Sequence, residues 1–265
     1  MISRKHINVL AALFVGLGFA PLRAQENYEI QVYPSETMPK GVTMFELHSN
    51  YTLKGLLATP GITASNHALH ETLEITHGFN DWSELGFYWF TAKPQGSTLQ
   101  WVGTHLRPRF RVPESWGWPF GFSISQEIGY SRPKFSDGDT WTYELRPIID
   151  KEVGRWYLSV NPVLGKSLRG DHAAEAFDFT PNVNLGFDLT TRVNIAAEYY
   201  GSTGTIRETL PIAEQEHMLF GAVNLDFGPA WEFNLAYGNA LTGAGDKSIV
   251  KMILGRRVGG RTAIH

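Results

Sequence analysis

The stretch Thr43-Met44-Phe45-Glu46-Leu47-His48-Ser49-Asn50-Tyr51 decides the fold. Its odd-numbered positions, Thr43, Phe45, Leu47, Ser49 and Tyr51, make a mostly apolar face, and its even-numbered positions, Met44, Glu46, His48 and Asn50, a mostly polar one. Successive side chains of an extended chain point to opposite sides, so a period of two means a strand with two unlike faces. The alternation returns in residues 69–76, 85–91, 99–110, 120–130 and 141–149, and again in 156–164, 177–187, 193–200, 218–227, 231–237 and 248–254. These segments make about twelve strands.

The connections carry further information. Every second one is tight: Asn80-Asp81, residues 114–118, Val153-Gly154, residues 189–192 and Gly228-Pro229. The others are mostly longer, and residues 201–214, the longest of them, are rich in polar and turn-forming residues. Short turns at one end and long loops at the other are the pattern of an outer-membrane barrel, and an even strand number returns both termini to the periplasmic side. The expected fold is therefore all-β, an antiparallel up-and-down transmembrane β-barrel.

Composition agrees. Only 18% of residues are charged, aromatics and glycine are frequent, and after residue 24 no apolar run is long enough for a membrane helix. A span in lipid must then be built from strands closed on themselves, because every backbone polar group needs a partner there. Trp82, Trp116, Trp118, Trp141, Trp156 and Trp231 mostly sit at strand ends beside turns, as in interfacial girdles. The alternation assigns Val102, Leu106, Phe110, Ile124, Ile128, Leu158, Leu185, Val223 and Leu235 to the lipid face. In a soluble sandwich these side chains would be core and the opposite face would be rich in lysine. That face instead holds Glu, Arg, Asn and small residues.

Arg4 and Lys5 precede an apolar run from Val9 to Ala20, then Pro21-Leu22-Arg23-Ala24, which reads as a secretory signal peptide over residues 1–24. The apolar run is about a dozen residues, too short for a membrane helix of roughly 20. There is no cysteine to carry a lipid or a disulfide. Residues 25–40, with Glu29-Ile30-Gln31-Val32-Tyr33 before Pro34, are expected to form a periplasmic tail or a lumen plug. The barrel is expected over 41–258, and 259–265 form a C-terminal tail that replaces the aromatic last residue typical of such barrels.

The expected interior carries Glu46, His48, His70, Glu74, His105, Arg107, Arg109, Glu127, Glu144, Arg146, Asp150, Glu198, Glu232 and Lys251. Acids and bases are tolerated there because the lumen is wet or lets them pair, whereas an arginine at the lipid midplane costs roughly 2–4 kcal/mol. Such a set serves either a solute path, with Arg107, Arg109 and Arg146 selecting small polar or anionic solutes, or a salt-bridge network inside a closed barrel with a structural or surface-binding role. A net charge of −3 with scattered bases offers no field for nucleic acid. The partners expected are outer-membrane lipids and small solutes.

No catalytic residues, cofactor or metal are expected. His48 and Ser49 are adjacent in a strand and face opposite sides, so they cannot form the pair used by outer-membrane phospholipase A. His67, His70, Glu74 and His77 crowd one strand and its loop, but His70 and Glu74 share one parity and His67 and His77 the other. The segments Glu46-Leu47-His48-Ser49-Asn50, Leu69–Thr76, Arg107-Pro108-Arg109 and Lys251–Arg257 resemble uncharacterised bacterial outer-membrane β-barrel proteins often labelled as transporters. The resemblance implies location and architecture over nearly the whole mature chain and brings no catalytic residues.

Overall fold

The computed structural model describes residues 27–58 and 63–259. The expected signal peptide, and the C-terminal tail beyond Gly259, lie outside the described residues. Twelve strands follow one another: β1 Val42–Lys54, β2 Leu69–Asn80, β3 Ser83–Lys93, β4 Gln100–Arg111, β5 Gly121–Ser131, β6 Trp141–Val153, β7 Trp156–Arg169, β8 Asp178–Asp188, β9 Val193–Ser202, β10 Glu216–Asp226, β11 Trp231–Ala240 and β12 Ser248–Gly259. Each pairs antiparallel with its sequence neighbours, and β1 pairs with β12 from Val42↔Gly259 to Lys54↔Ser248, closing the barrel. Closure removes the free edges that neither lipid nor water-borne partners can be allowed to meet.

The outer surface carries a broad apolar band. Leu47, Leu106, Ile128, Leu158, Leu185 and Leu235 are exposed on it. Two aromatic levels bound it. Trp82, Trp116, Trp118, Trp156 and Trp231 lie exposed at the short-turn end, where Trp118 packs on Phe120 and Phe122, and Trp156 on Phe187. Toward the long-loop end a row of neighbouring rings, Trp89, Trp101, Tyr130 and Trp141, crosses β3 to β6. The inner face is polar: Thr52, Thr72, Ser123, Ser159, Asn161 and Asn182 are buried there.

One lipid-face assignment is corrected. Val102 is 1% exposed and packs inside the barrel with Tyr28, Tyr88, Phe90 and Ala92. The pairing of β3 with β4 shifts between Phe90↔Gly103 and Thr91↔Trp101, leaving Val102 as the unpaired residue of a bulge. One inserted residue reverses the parity beyond it, so Val102 turns inward and Trp101 takes the outer face. Several strands also run past the reach of their alternation, as in β7 to Arg169, because ladder pairing continues where the side-chain pattern fades.

Residues 27–40 join no ladder. Asn27 donates to Asp246 Oδ2 (2.6 Å) in the β11–β12 loop at the long-loop end, while at the short-turn end Gly41 N donates to Gly78 O (2.8 Å). Between these points Tyr28, Ile30, Val32, Tyr33, Ser35 and Thr37 are buried against the inner wall. At about 3.3 Å per residue an extended stretch of this length covers roughly 40 Å, enough to traverse the barrel. Glycine permits its entry: a Cβ at Gly78 would lie 2.2 Å from Met38 O and 2.3 Å from Pro39 O.

Candidate functional site

The lumen and the segment that fills it are the candidate site. Inward side chains from seven strands replace the ladder bonds that the segment's backbone lacks. Thr72 Oγ1 donates to Tyr28 O (2.7 Å), Lys251 Nζ to Ile30 O (3.0 Å), Ser159 Oγ to Tyr33 O (2.7 Å) and Arg109 Nη1 to Pro34 O (2.9 Å). Tyr33 N donates to Asn161 Oδ1 (2.8 Å), Ser35 N to Asp150 Oδ2 (2.6 Å) and Met38 N to Glu84 Oε2 (2.6 Å), while Asn50 Nδ2 donates to Asn27 O (2.8 Å). A buried backbone group without a partner is costly, so this complementarity fixes the segment's register against the wall.

Tyr33 sits at the centre. The guanidinium carbons of Arg107, Arg146 and Arg109 lie 4.6, 4.9 and 5.6 Å from its ring centroid. Its hydroxyl donates to Glu29 Oε1 (2.5 Å) and meets the Tyr88 hydroxyl at 3.1 Å. The same arginines pair with acids: Arg107 with Glu74 (2.6 Å), Arg109 with Glu84 (2.7 Å) and Arg146 with Glu144 (2.8 Å). His105 pairs with Glu127, and Lys251 with Glu198.

Above this polar belt the segment is embraced by two apolar clusters. Ile30 and Val32 pack with Tyr200, Phe220, Ala222, Ala236 and Ile249 on the β9–β12 side, and Tyr28 with Tyr88, Phe90, Ala92 and Val102 on the β3–β4 side. Below the first cluster, toward the short-turn end, lies a cavity of about 670 Å³ bordered by Gln31, Val32, Glu46 of β1 and the inner wall of β8 to β12. An amide ladder crosses this wall: Asn194 Nδ2 donates to Asp188 Oδ1 (2.8 Å), Asn224 Nδ2 to Asn194 Oδ1 (3.0 Å) and Asn234 Nδ2 to Asn224 Oδ1 (2.7 Å).

All twelve expected solute-path residues, Glu46, His48, His70, Glu74, His105, Arg107, Arg109, Glu127, Glu144, Arg146, Glu198 and Lys251, fall on the inward face. Eight of them, Glu46, His48, His70, Glu74, His105, Arg107, Arg109 and Glu127, line the β1–β5 wall. Of these twelve, Glu46, Glu198 and Lys251 border the cavity. Asp150 receives Ser35, and Glu232 pairs with Arg257 at the cavity's rim. The parity arguments also hold: Ser49 turns from His48 and donates to Glu71 Oε2 (2.6 Å), and His77 meets Thr43 Oγ1 at 2.8 Å, away from Glu74. Sequence reading missed Glu29, Tyr33 and Glu84 as members of the network, and the amide ladder. Glu84 stood one residue before the expected start of β3, and the amides become a row only through the register of β8 to β11.

No protein-family model and no curated protein matches the chain. Among solved structures it is similar to the COG4313 outer membrane channel from Pseudomonas putida F1, with a TM-score of 0.60 and 12% identity, covering 87% of this chain and 100% of that one. It is similar also to the KdgM porin in complex with disordered oligogalacturonate (TM-score 0.53, 10% identity, 82% and 99% covered) and to the NanC porin (0.52, 8%, 82% and 100%). At these identities the likeness is one of fold. The chain has the closed, twelve-stranded antiparallel barrel fold that these outer-membrane channels and porins share.

Proposed function

We propose that the protein is an outer-membrane channel for small polar solutes whose lumen is held shut by its own N-terminal segment. The observation that carries this reading is the segment's mode of attachment. Residues 28–38 make no backbone–backbone hydrogen bond to the barrel among the described residues, so withdrawing them breaks side-chain contacts and no ladder. Elements held in this way open at lower free energy than strands of the sheet.

The cavity supports polar rather than anionic solutes. Five carboxyls border it, Glu46, Asp188, Glu198, Asp226 and Glu232, against three cations, Arg192, Lys251 and Arg257. Two of the cations are spent on Glu198 and Glu232. Arg107, Arg109 and Arg146 are likewise engaged by acids and by Tyr33, so they serve the segment before they serve a passing anion. The filled lumen also favours a second reading, a barrel that stays closed and acts through its loops.

Conductance of the purified, refolded mature protein in a planar bilayer separates the two. Ser35 Oγ lies 2.7 Å from Asp150 Oδ1, and the chain has no native cysteine, so a Ser35→Cys/Asp150→Cys pair can tether the segment. Discrete steps that vanish on oxidation and return on reduction support a displaceable segment. Steps indifferent to the tether place the path beside the segment, and silence from inserted protein in both states leaves the closed barrel.

A further inference from the structure

We propose that Glu46, His48 and Glu74 form a binding site for a divalent transition-metal ion, reached from the cavity at the short-turn end of the lumen. Alternation along β1 puts residues 46 and 48 on the same inward face, and the β1–β2 register sets Glu74 directly opposite Glu46. One ligand atom from each of the three lies within 4.8 Å of the others, and all three residues are buried. Metal–ligand bonds of about 2.0–2.2 Å put ligands on opposite sides of an ion roughly 4 Å apart, so small side-chain rotations suffice.

Two further observations point to a ligand. His48 is 0% exposed, its Nε2 lies 3.3 Å from Glu74 Oε2, and neither ring nitrogen makes a hydrogen bond. Glu46 is 6% exposed, and no hydrogen bond or ion pair to it is found among the described residues. A carboxyl buried without a partner either keeps its proton or takes a counter-cation. Glu74 is oriented for the role: Arg107 Nη2 (2.6 Å) and Thr76 Oγ1 (2.7 Å) both donate to Oε1, while Oε2 faces His48 and takes only a long contact (3.4 Å) from the Tyr33 hydroxyl.

Charge in the wider lumen argues the same way. The carboxyls of Glu29, Glu46, Glu74, Glu84, Glu127 and Glu144 share its centre with three guanidiniums, those of Arg107, Arg109 and Arg146, and with the imidazole of His105, which pairs with Glu127. A divalent cation between Glu46 and Glu74 gives Glu46 the counter-charge that no ion pair among the described residues supplies, and shares Glu74 with Arg107. Two carboxylates and an imidazole suit the Mn²⁺ to Zn²⁺ series better than Ca²⁺ or Mg²⁺, which favour all-oxygen sets. Because Glu46 borders the cavity, an ion there keeps positions for water. The site rests on its own geometry and stands whether or not the barrel conducts.

The test uses the refolded mature protein in micelles, loaded with Zn²⁺, desalted and assayed for metal by mass spectrometry. One retained ion per chain is expected, falling to background in Glu46→Gln and in His48→Gln and unchanged in His172→Gln, which disrupts the separate Asp137/Asp139/His172 group in the outer loops. Barrel closure of each variant is checked by heat-modifiable electrophoretic mobility. No retained ion in the folded wild type, which would leave protons to balance the charge, overturns the proposal. So does undiminished retention in both lumen variants, or loss in His172→Gln. Should a lumen variant fail to fold, Mn²⁺ bound to His172→Gln decides: spin-echo modulation from a histidine nitrogen supports the site, and its absence overturns it.

Discussion

The Arg107 guanidinium lies over the ring of Tyr33, 4.6 Å from Cζ to the centroid, with the Tyr88 ring also within 5.4 Å of it. One aromatic side chain from the N-terminal segment thus organises cations contributed by β4 and β6. Tyr33→Ala is expected to weaken docking of the segment by about 3–5 kcal/mol, the scale for emptying a packed aromatic site, while the closed barrel persists. Limited proteolysis in micelles should show residues 27–40 cut many times faster at unchanged barrel mobility. Tyr33→Phe keeps the stacking and loses the hydroxyl contacts, a loss of about 1 kcal/mol.

Arg109 and Glu84 form a buried ion pair at 2.7 Å, and Glu84 Oε2 also accepts from Met38 N. Removing one member of such a pair strands the other, at a cost of about 3–5 kcal/mol. Glu84→Gln is expected to lower the urea midpoint of unfolding accordingly, and a midpoint equal to wild type would show that water reaches Arg109.

Gly78 faces the point where the segment turns into the lumen, and a Cβ there would sit 2.2 Å from a backbone oxygen that cannot rotate away. Gly78→Ala should unseat residues 38–40 without opening the barrel, since β2 itself tolerates alanine. Faster proteolysis of the segment and a larger or more frequent conductance are the expected pair of signs.

Asp188 and Asp226 border the cavity at the short-turn end. Asp188→Asn/Asp226→Asn removes two negative charges and should move the reversal potential in a salt gradient toward anions, more strongly at low salt where screening is weak. An unmoved reversal potential would place the conducting path elsewhere.

Leu235 is 45% exposed at the middle of β11, while its neighbour Ala236 is buried in the lumen. Leu235→Arg is expected to destabilise the inserted barrel by about 2–4 kcal/mol, the range for arginine near the bilayer midplane. Equilibrium folding into lipid vesicles measures it.

Strand number, closure and the outward Leu47, Leu158 and Leu235 were legible because alternation is local: lipid on one side and polar surroundings on the other impose a period of two on every strand. The alternation failed at Val102, where one bulged residue, invisible to any pattern of hydrophobicity, reversed the parity. The twelve lumen residues were legible as inward-facing for the same reason. Their partners were not, since Arg107 meeting Glu74 or Glu198 meeting Lys251 depends on which strands are neighbours and how they are staggered.

Residues 27–40 show the division most clearly. Glu29-Ile30-Gln31-Val32-Tyr33 could be written as a strand, a tail or a plug, because an extended segment of mixed polarity suits all three. By itself the sequence determined that this chain closes a barrel and, the bulge at Val102 apart, which face of its strands points outward, both consequences of solvent acting residue by residue. Only the tertiary structure decided that residues 28–37 lie against the inner wall and that Glu46, His48 and Glu74 converge there. Those outcomes come from contacts between residues far apart in the chain, which exist only once the barrel's register has brought its walls together.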